Sequence, residues 1–266
     1  MAPNENTGAK RAPADPKASQ PPAVRELAED GTAAGADSAL SEDAALTLLK
    51  RPDLSTDVLE QLAKNSGVLN NRKVKRALVE HPKTPRHISL PLIRQVYTFD
   101  LMQVALTPVV PADIKLAADE ALCHRMEALS PGERLSLAHR GSGRIAGALL
   151  LDAEGRVMHA ALENSRLTES AIIRALTGRE ASAAFVEAVS HHPQWSQRCE
   201  VRVALLRNEK TPLARAVEFA RSIPLAEARE ILHTSDLPAN IKAYLLKDLE
   251  KRASGSASQP AVVEQL

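Results

Sequence analysis

Apolar positions through the middle of this chain recur three and four residues apart, and no stretch alternates apolar and polar with period two. Leu213, Ala216, Val217 and Ala220 share one helical face, as do Ile241, Tyr244, Leu245 and Leu249. Trp195, Cys199, Val203 and Leu206 are expected to form a third buried stripe. The pattern predicts an all-α fold. Breaks recur at short intervals. Thr84-Pro85 and Thr211-Pro212 read as a capping Thr followed by Pro at the first helical position. Ser130-Pro131-Gly132-Glu133 reads as a capping box, and Ser41, Ser55 and Thr168 as further caps. Roughly fifteen short helices are expected on this basis.

The chain also repeats itself. Val74-Lys75-Arg76-Ala77-Leu78-Val79-Glu80-His81-Pro82-Lys83-Thr84-Pro85 returns, 127 residues on, as Val201-Arg202-Val203-Ala204-Leu205-Leu206-Arg207-Asn208-Glu209-Lys210-Thr211-Pro212. Weaker copies end near Ser55, Pro111, Thr168 and Pro238, and a degenerate one lies at His139-Arg140-Gly141-Ser142-Gly143. A helix-turn-helix unit of this size does not bury its apolar face alone, and stacking such units makes one continuous core. The fold class expected is therefore an α-solenoid of about seven to eight short helical repeats, each of about 25–30 residues.

Composition sets the limits of that array. Residues 1–40 are rich in Ala, Pro, Gly, Asp and Ser, with Leu27 and Leu40 their only leucines. Such a segment buries too little apolar surface to offset its ordering entropy. It reads as a disordered tail, 41–252 as the helical repeat domain, and 253–266 as a second tail. Nothing at the N-terminus looks like a secretory signal, and no apolar run has the length of a membrane span. Two cysteines, Cys123 and Cys199, make no disulfide framework. A monomeric cytoplasmic protein is the expectation.

With 34 basic and 33 acidic residues the chain is nearly neutral, which excludes a bulk-basic chromatin protein. The charge is unevenly placed. Arg72, Lys73, Lys75, Arg76, Lys83, Arg86 and Arg94 face Glu80 alone between 72 and 94. On adjacent helices such side chains form a patch able to attract an acidic protein or a phosphate backbone. Arg72, Lys73, Lys75, Arg76, Lys83 and Arg86 are the candidate partner-binding residues. Only Tyr97 and Phe99 lie near for base stacking, which disfavours sequence-specific recognition of single strands. Lys115, Arg144, Arg174, Arg207, Arg215 and Lys242 recur in or after repeat turns and are candidates for one edge of the array.

Catalytic and metal chemistry finds no template. His191-His192 with Cys199 lacks the paired spacing of a structural zinc site. Cys123 and His124 are helical neighbours and point apart. Gly141-Ser142-Gly143 with Gly147 lacks the preceding strand and the glycine spacing of a dinucleotide loop, and reads as a turn opening a close helix contact. Asp100, Asp119 and Glu120 are the unranked carboxylates that an enzyme in the concave groove would offer.

The pattern His192-Pro193-x-Trp195, then Val201-Arg202-x-Ala204-Leu205-x-x-Asn208-x-x-Thr211-Pro212 and a leucine-bearing helix, resembles the bacterial variant leucine-rich repeats. These are α-helical repeats related in shape to HEAT and armadillo arrays. The resemblance is good over 71–93 and 192–220 and loose over the rest of 41–252. It implies a curved, right-handed solenoid in which some second helices are short or 3₁₀-like, and it does not imply an enzyme. A founding member carries a cysteine-rich iron–sulfur segment ahead of its repeats. This chain has no cysteine before Cys123, so that cofactor is not carried over. The function expected is a non-enzymatic protein–protein interaction scaffold without cofactor. The alternative is non-specific nucleic-acid binding through the basic 72–94 patch.

Overall fold

The computed structural model of the protein describes residues 41–256. Among these every regular element is helical, with sixteen α-helices and no strand. The expected tail at 1–40 and residues 257–266 lie outside the described residues. Ala253–Ser256, read from sequence as tail, continue the last helix. The chain divides into two compact units, Met1–Ala117 and Ala118–Leu266. The first contains α1 (Glu42–Leu49), α2 (Thr56–Lys64), α3 (Ser66–Leu69), α4 (Arg72–Glu80), α5 (Arg86–Ile93) and α6 (Thr98–Leu106). The division falls within α7 (Ala112–Arg125). The second contains α8 (Pro131–Arg140), α9 (Gly143–Leu149), α10 (Gly155–Leu162), α11 (Glu169–Thr177) and α12 (Ala183–His191). It continues with a 3₁₀ turn at Trp195–Gln197, then α13 (Cys199–Arg207), α14 (Leu213–Ser222), α15 (Leu225–Thr234) and α16 (Ala239–Ser256).

Side-chain caps start several of these helices. Ser41 accepts the Ala44 N–H, and Thr168 the Ala171 N–H. Ser130 and Glu133 form the reciprocal capping box, with the Glu133 carboxylate 3.0 Å from the Ser130 N–H. Ser55 is an N-cap residue whose side chain makes no capping bond. The two Thr-Pro pairs correct the sequence reading. Pro85 and Pro212 are themselves the N-cap residues. Thr84 and Thr211 point backwards instead, donating to the carbonyls of Leu78 and Leu205 at 2.6 and 2.5 Å. Each Thr closes the helix before it rather than opening the one after.

The twelve-residue sequence repeat is also a structural one. α4 and α13 have equal length, and their positions correspond at the same offset as the sequences. Val74, Leu78 and Val79 are buried in one, and Val201, Leu205 and Leu206 in the other. The stripe containing Trp195 is placed differently from the expectation. Trp195 is buried in the 3₁₀ turn, but Cys199 is exposed and Val203 half-buried, because α13 begins only at Cys199. The turn breaks the helical phase between them. In α14, Ala216, Phe219 and Ala220 are buried and Leu213 exposed; in α16, Leu245 and Leu249 are buried and Tyr244 exposed.

Helices in the second unit pack on their neighbours in sequence and on the next but one. α8 packs on α9 and α10, α9 on α10 and α11, and α10 on α12. α11 packs on α13, α13 on α14 and α15, and α14 on α15 and α16. In the first unit, α4 packs on α1, α5 and α6.

Side chains at the helix ends tie these layers together. The last carbonyls of an α-helix have no partner within it. Here the turn one layer further on supplies donors. His81, after α4, bonds through Nε2 to the Arg51 carbonyl after α1, at 2.9 Å. Asn164, after α10, donates to the Ala138 carbonyl at the end of α8, at 2.7 Å. Asn208, after α13, donates to the Leu176 carbonyl at the end of α11, at 2.7 Å. The Trp195 indole N–H reaches the Leu162 carbonyl at the end of α10, at 2.9 Å. After α15 the backbone N–H of Asp236 takes the same role toward the Arg207 carbonyl, at 2.9 Å. The His and Asn side chains hold their own turns as well: His81, Asn164 and Asn208 accept the N–H two residues on, from Lys83, Arg166 and Lys210.

Two stability outcomes follow. His81→Asn keeps an acceptor for the Lys83 N–H and an amide donor, as at Asn164 and Asn208, and should lose less stability than His81→Ala, which should lose about 1–3 kcal/mol. Trp195→Ala should cost about 3–5 kcal/mol by losing both a buried ring and the bond to Leu162. Urea unfolding followed by far-ultraviolet circular dichroism measures both. Equal loss for the two His81 variants would remove the inter-layer bond from the account.

Candidate functional site

The basic segment 72–94 occupies α4, α5 and the turn between them. Three of its arginines are held by carboxylates. Arg72 binds Asp100 of α6, with Nη2 at 3.1 Å, and its guanidinium lies 4.9 Å from the Tyr97 ring centroid. Arg76 binds Glu80 one turn along α4 at 2.8 Å and approaches Asp100 at 4.0 Å. Arg86 binds Asp113 of α7 at 2.8 Å. Lys73 and Lys83 are exposed, and Lys75 is half-buried. The sequence count met Glu80 alone, because Asp100 and Asp113 come from other helices. The patch therefore has less uncompensated charge than its linear composition suggests. Asp100 is buried, and its place between Arg72 and Arg76 gives it a role in joining α4 to α6.

The other sequence candidates separate. His192 and Trp195 face each other across their turn, with ring centroids 6.3 Å apart, whereas Cys199 is exposed. His192 Nδ1 accepts the N–H groups of Gln194 and Trp195 at 3.3 and 3.4 Å. Burial pushes the imidazole below its ordinary pKa, against the pull of Glu163. The neutral ring therefore contributes stability above the usual histidine range, and that contribution is lost as pH falls through the lowered value. Among the described residues no group of three or more His, Cys, Asp or Glu is placed to hold a metal ion, and no helix is long and apolar enough to cross a membrane.

Gly141-Ser142-Gly143 is a turn with a tight helix contact. Ser142 caps α9 through the Ile145 N–H and donates to Asp119 at 2.8 Å. A Cβ on Gly143 would lie 2.2 Å from the Arg166 carbonyl oxygen, and one on Gly147 would lie 3.2 Å from the Ala171 Cβ. Both glycines let α9 approach α11 and the turn before it. Asp119 is buried beneath this turn, and desolvation raises its pKa, with the Ser142 bond and the Arg144 charge opposing. Glu120 is exposed and pairs with Arg144 at 3.3 Å.

Beside these glycines lies a groove of about 780 Å³. Arg144 of α9, Arg166 of the turn before α11 and Arg174 of α11 line it, together with Thr168, Ser170 and Cys123. Burial raises the Cys123 pKa, so its thiol is protonated near neutrality. No carboxylate is among the lining residues. Sequence spacing had marked Arg144 and Arg174 as turn-associated cations. Arg166 escaped it, because nothing in the linear order places residue 166 against Gly143. The remaining candidates are scattered: Lys115 bonds the Pro108 carbonyl, and Arg215 holds the Ser190 carbonyl and covers the Phe219 ring. Arg207 lines a separate groove with Arg179 and Lys210, where Glu209 and Asp236 offset the charge. Lys242 is half-buried on α16.

No protein-family profile, no curated protein and no solved structure matches this chain.

Asp119 gives a pH-dependent outcome. A carboxyl whose folded pKa is raised favours folding below its unfolded value near 3.8, and that contribution is lost as pH rises through the raised one. Asp119→Asn keeps an oxygen for Ser142 and removes the buried charge. Its urea midpoint should equal or exceed the parent's at pH 7, with the advantage shrinking toward pH 4. A variant less stable at pH 7 than at pH 4, relative to the parent, would show that the ionised carboxylate is required.

Proposed function

We propose that this chain is a non-enzymatic interaction protein, and that its units are stretches of an α-solenoid of short repeats presenting a continuous surface to a protein partner. The observation that carries the reading is the recurring inter-layer bond at helix ends: His81 to Arg51, Asn164 to Ala138 and Asn208 to Leu176, with sequence separations of 30, 26 and 32 residues. One chemical device repeated at near-constant separation is the mark of stacked repeats, each contacting its neighbours. Helix pairing along the second unit supports it, since partners are adjacent or next but one. Arrays of this kind display long rows of side chains, and their use is recognition. The protein acts as a monomer in this reading.

A protein partner is preferred to a nucleic acid. Arg72, Arg76 and Arg86 are engaged by Asp100, Glu80 and Asp113, which lowers the charge available to phosphates across 72–94. Tyr97 is exposed but lies against Arg72.

Cross-linking of the tagged full chain in native extract, with and without nuclease and at two salt concentrations, tests the reading. Protein cross-links that survive nuclease are the expected result. Cross-links lost on nuclease treatment, with retention falling steeply as salt rises and abolished by Lys73→Glu with Lys83→Glu, would overturn it in favour of nucleic acid. Absence of specific cross-links from the folded chain would overturn it altogether.

A further inference from the structure

We propose that the groove between α9 and α11 docks an acidic peptide segment of a partner protein. The proposal deepens the interaction reading and rests on it. Three guanidinium groups, Arg144, Arg166 and Arg174, line the groove, and no Asp or Glu does. Arg144 is already shared with Glu120. The side chains of Arg166 and Arg174 are exposed and form no ion pair among the described residues. With Arg144 offset by Glu120, the groove keeps two exposed guanidinium groups without an ion-pair partner among the described residues, able to pair with carboxylates.

The shape selects among anions. The groove holds about 780 Å³, far more than one small ion requires. Gly143, Gly147, Ala148, Ala171 and Ala175 are among its lining residues, so small side chains make up much of its wall. A Cβ added at Gly147 would lie 3.2 Å from the Ala171 Cβ, so α9 and α11 meet closely beside the groove. Thr168 and Ser170 also line the groove; their hydroxyls are hydrogen-bonded to each other at 3.1 Å and Thr168 accepts the Ala171 N–H, so they hold the start of α11 beside it. No aromatic side chain lines the groove, so it lacks the stacking platforms that single-stranded nucleic acids use. Planar arginine forks match carboxylates in pairs. A segment with several Glu or Asp residues spaced along an extended or helical backbone satisfies all of these features.

The test is fluorescence anisotropy of the full chain with a fluorescein-labelled peptide of alternating glutamate and serine. A lysine–serine peptide and a labelled single-stranded oligonucleotide of similar length are the comparison probes. Arg166→Glu with Arg174→Glu should weaken the acidic peptide roughly tenfold or more, with circular dichroism and the urea midpoint unchanged. Among the described residues neither side chain makes a hydrogen bond that supports the fold, so a folding defect is not the expected cause. Lys73→Glu with Lys83→Glu should leave the peptide affinity within about twofold. Equal loss for the two double variants, or no binding by the parent, would overturn the assignment. So would an oligonucleotide that binds more tightly than the peptide through the same two arginines. The cross-linking experiment, repeated with the Arg166/Arg174 variant, separates this proposal from the one beneath it. Partners kept by both chains would sink the groove and leave the interaction reading standing. No partners for either chain would sink the interaction reading itself.

Discussion

Short helices have many ends, and the ends set the terms of this fold. Most helices here have seven to ten residues, so a large share of their carbonyls falls in a last turn with no partner inside the helix. Several of those ends are buried against the next layer. Each buried carbonyl left bare costs about 1–3 kcal/mol. The chain meets this cost with side chains from the following turn: His81, Asn164, Asn208 and the Trp195 indole each reach back one layer. The same His and Asn residues also hold the turn that positions them. Capping and stacking are therefore one interaction. A layer does not satisfy its own helix ends until the next has docked. Thr84 and Thr211 complete the arrangement from within, closing the helices on which their own turns stand.

Much of this was legible in sequence, for physical reasons. Helical periodicity and the absence of alternation fix the secondary-structure class, and the copies at Val74 and Val201 mark equivalent buried positions. The capping box at Ser130 is a local motif and is read locally. Errors came where a local signal has a non-local use. Thr before Pro looks like a cap, yet the Pro occupies that position and the hydroxyl turns back. Helical spacing puts Cys199 on one stripe with Trp195, but the 3₁₀ turn between them resets the helical phase. Composition places the boundary at 252, whereas α16 continues through it to Ser256.

Charge was harder to read than packing. A run such as 72–94 appears strongly basic because its counter-ions, Asp100 and Asp113, arrive from other helices. Conversely, Arg144, Arg166 and Arg174 are separated in sequence and converge only when two glycines let α9 and the Arg166 turn meet. Linear composition thus overstated one basic surface and concealed another. The contacts between helices that stabilise the fold also decide which charges share a surface.

Hydrogen exchange of the parent and of Asn208→Ala measures that coupling most directly. The substitution removes the donor to Leu176 and the acceptor for Lys210 while leaving other layers untouched. The account predicts lost protection concentrated in α11 and α13, with α8 and α10 retaining theirs, as in a stack coupled through nearest neighbours. Uniform loss across the second unit would contradict it, and would mean that the helices form a single cooperative bundle in which the recurring bond carries no layered organisation.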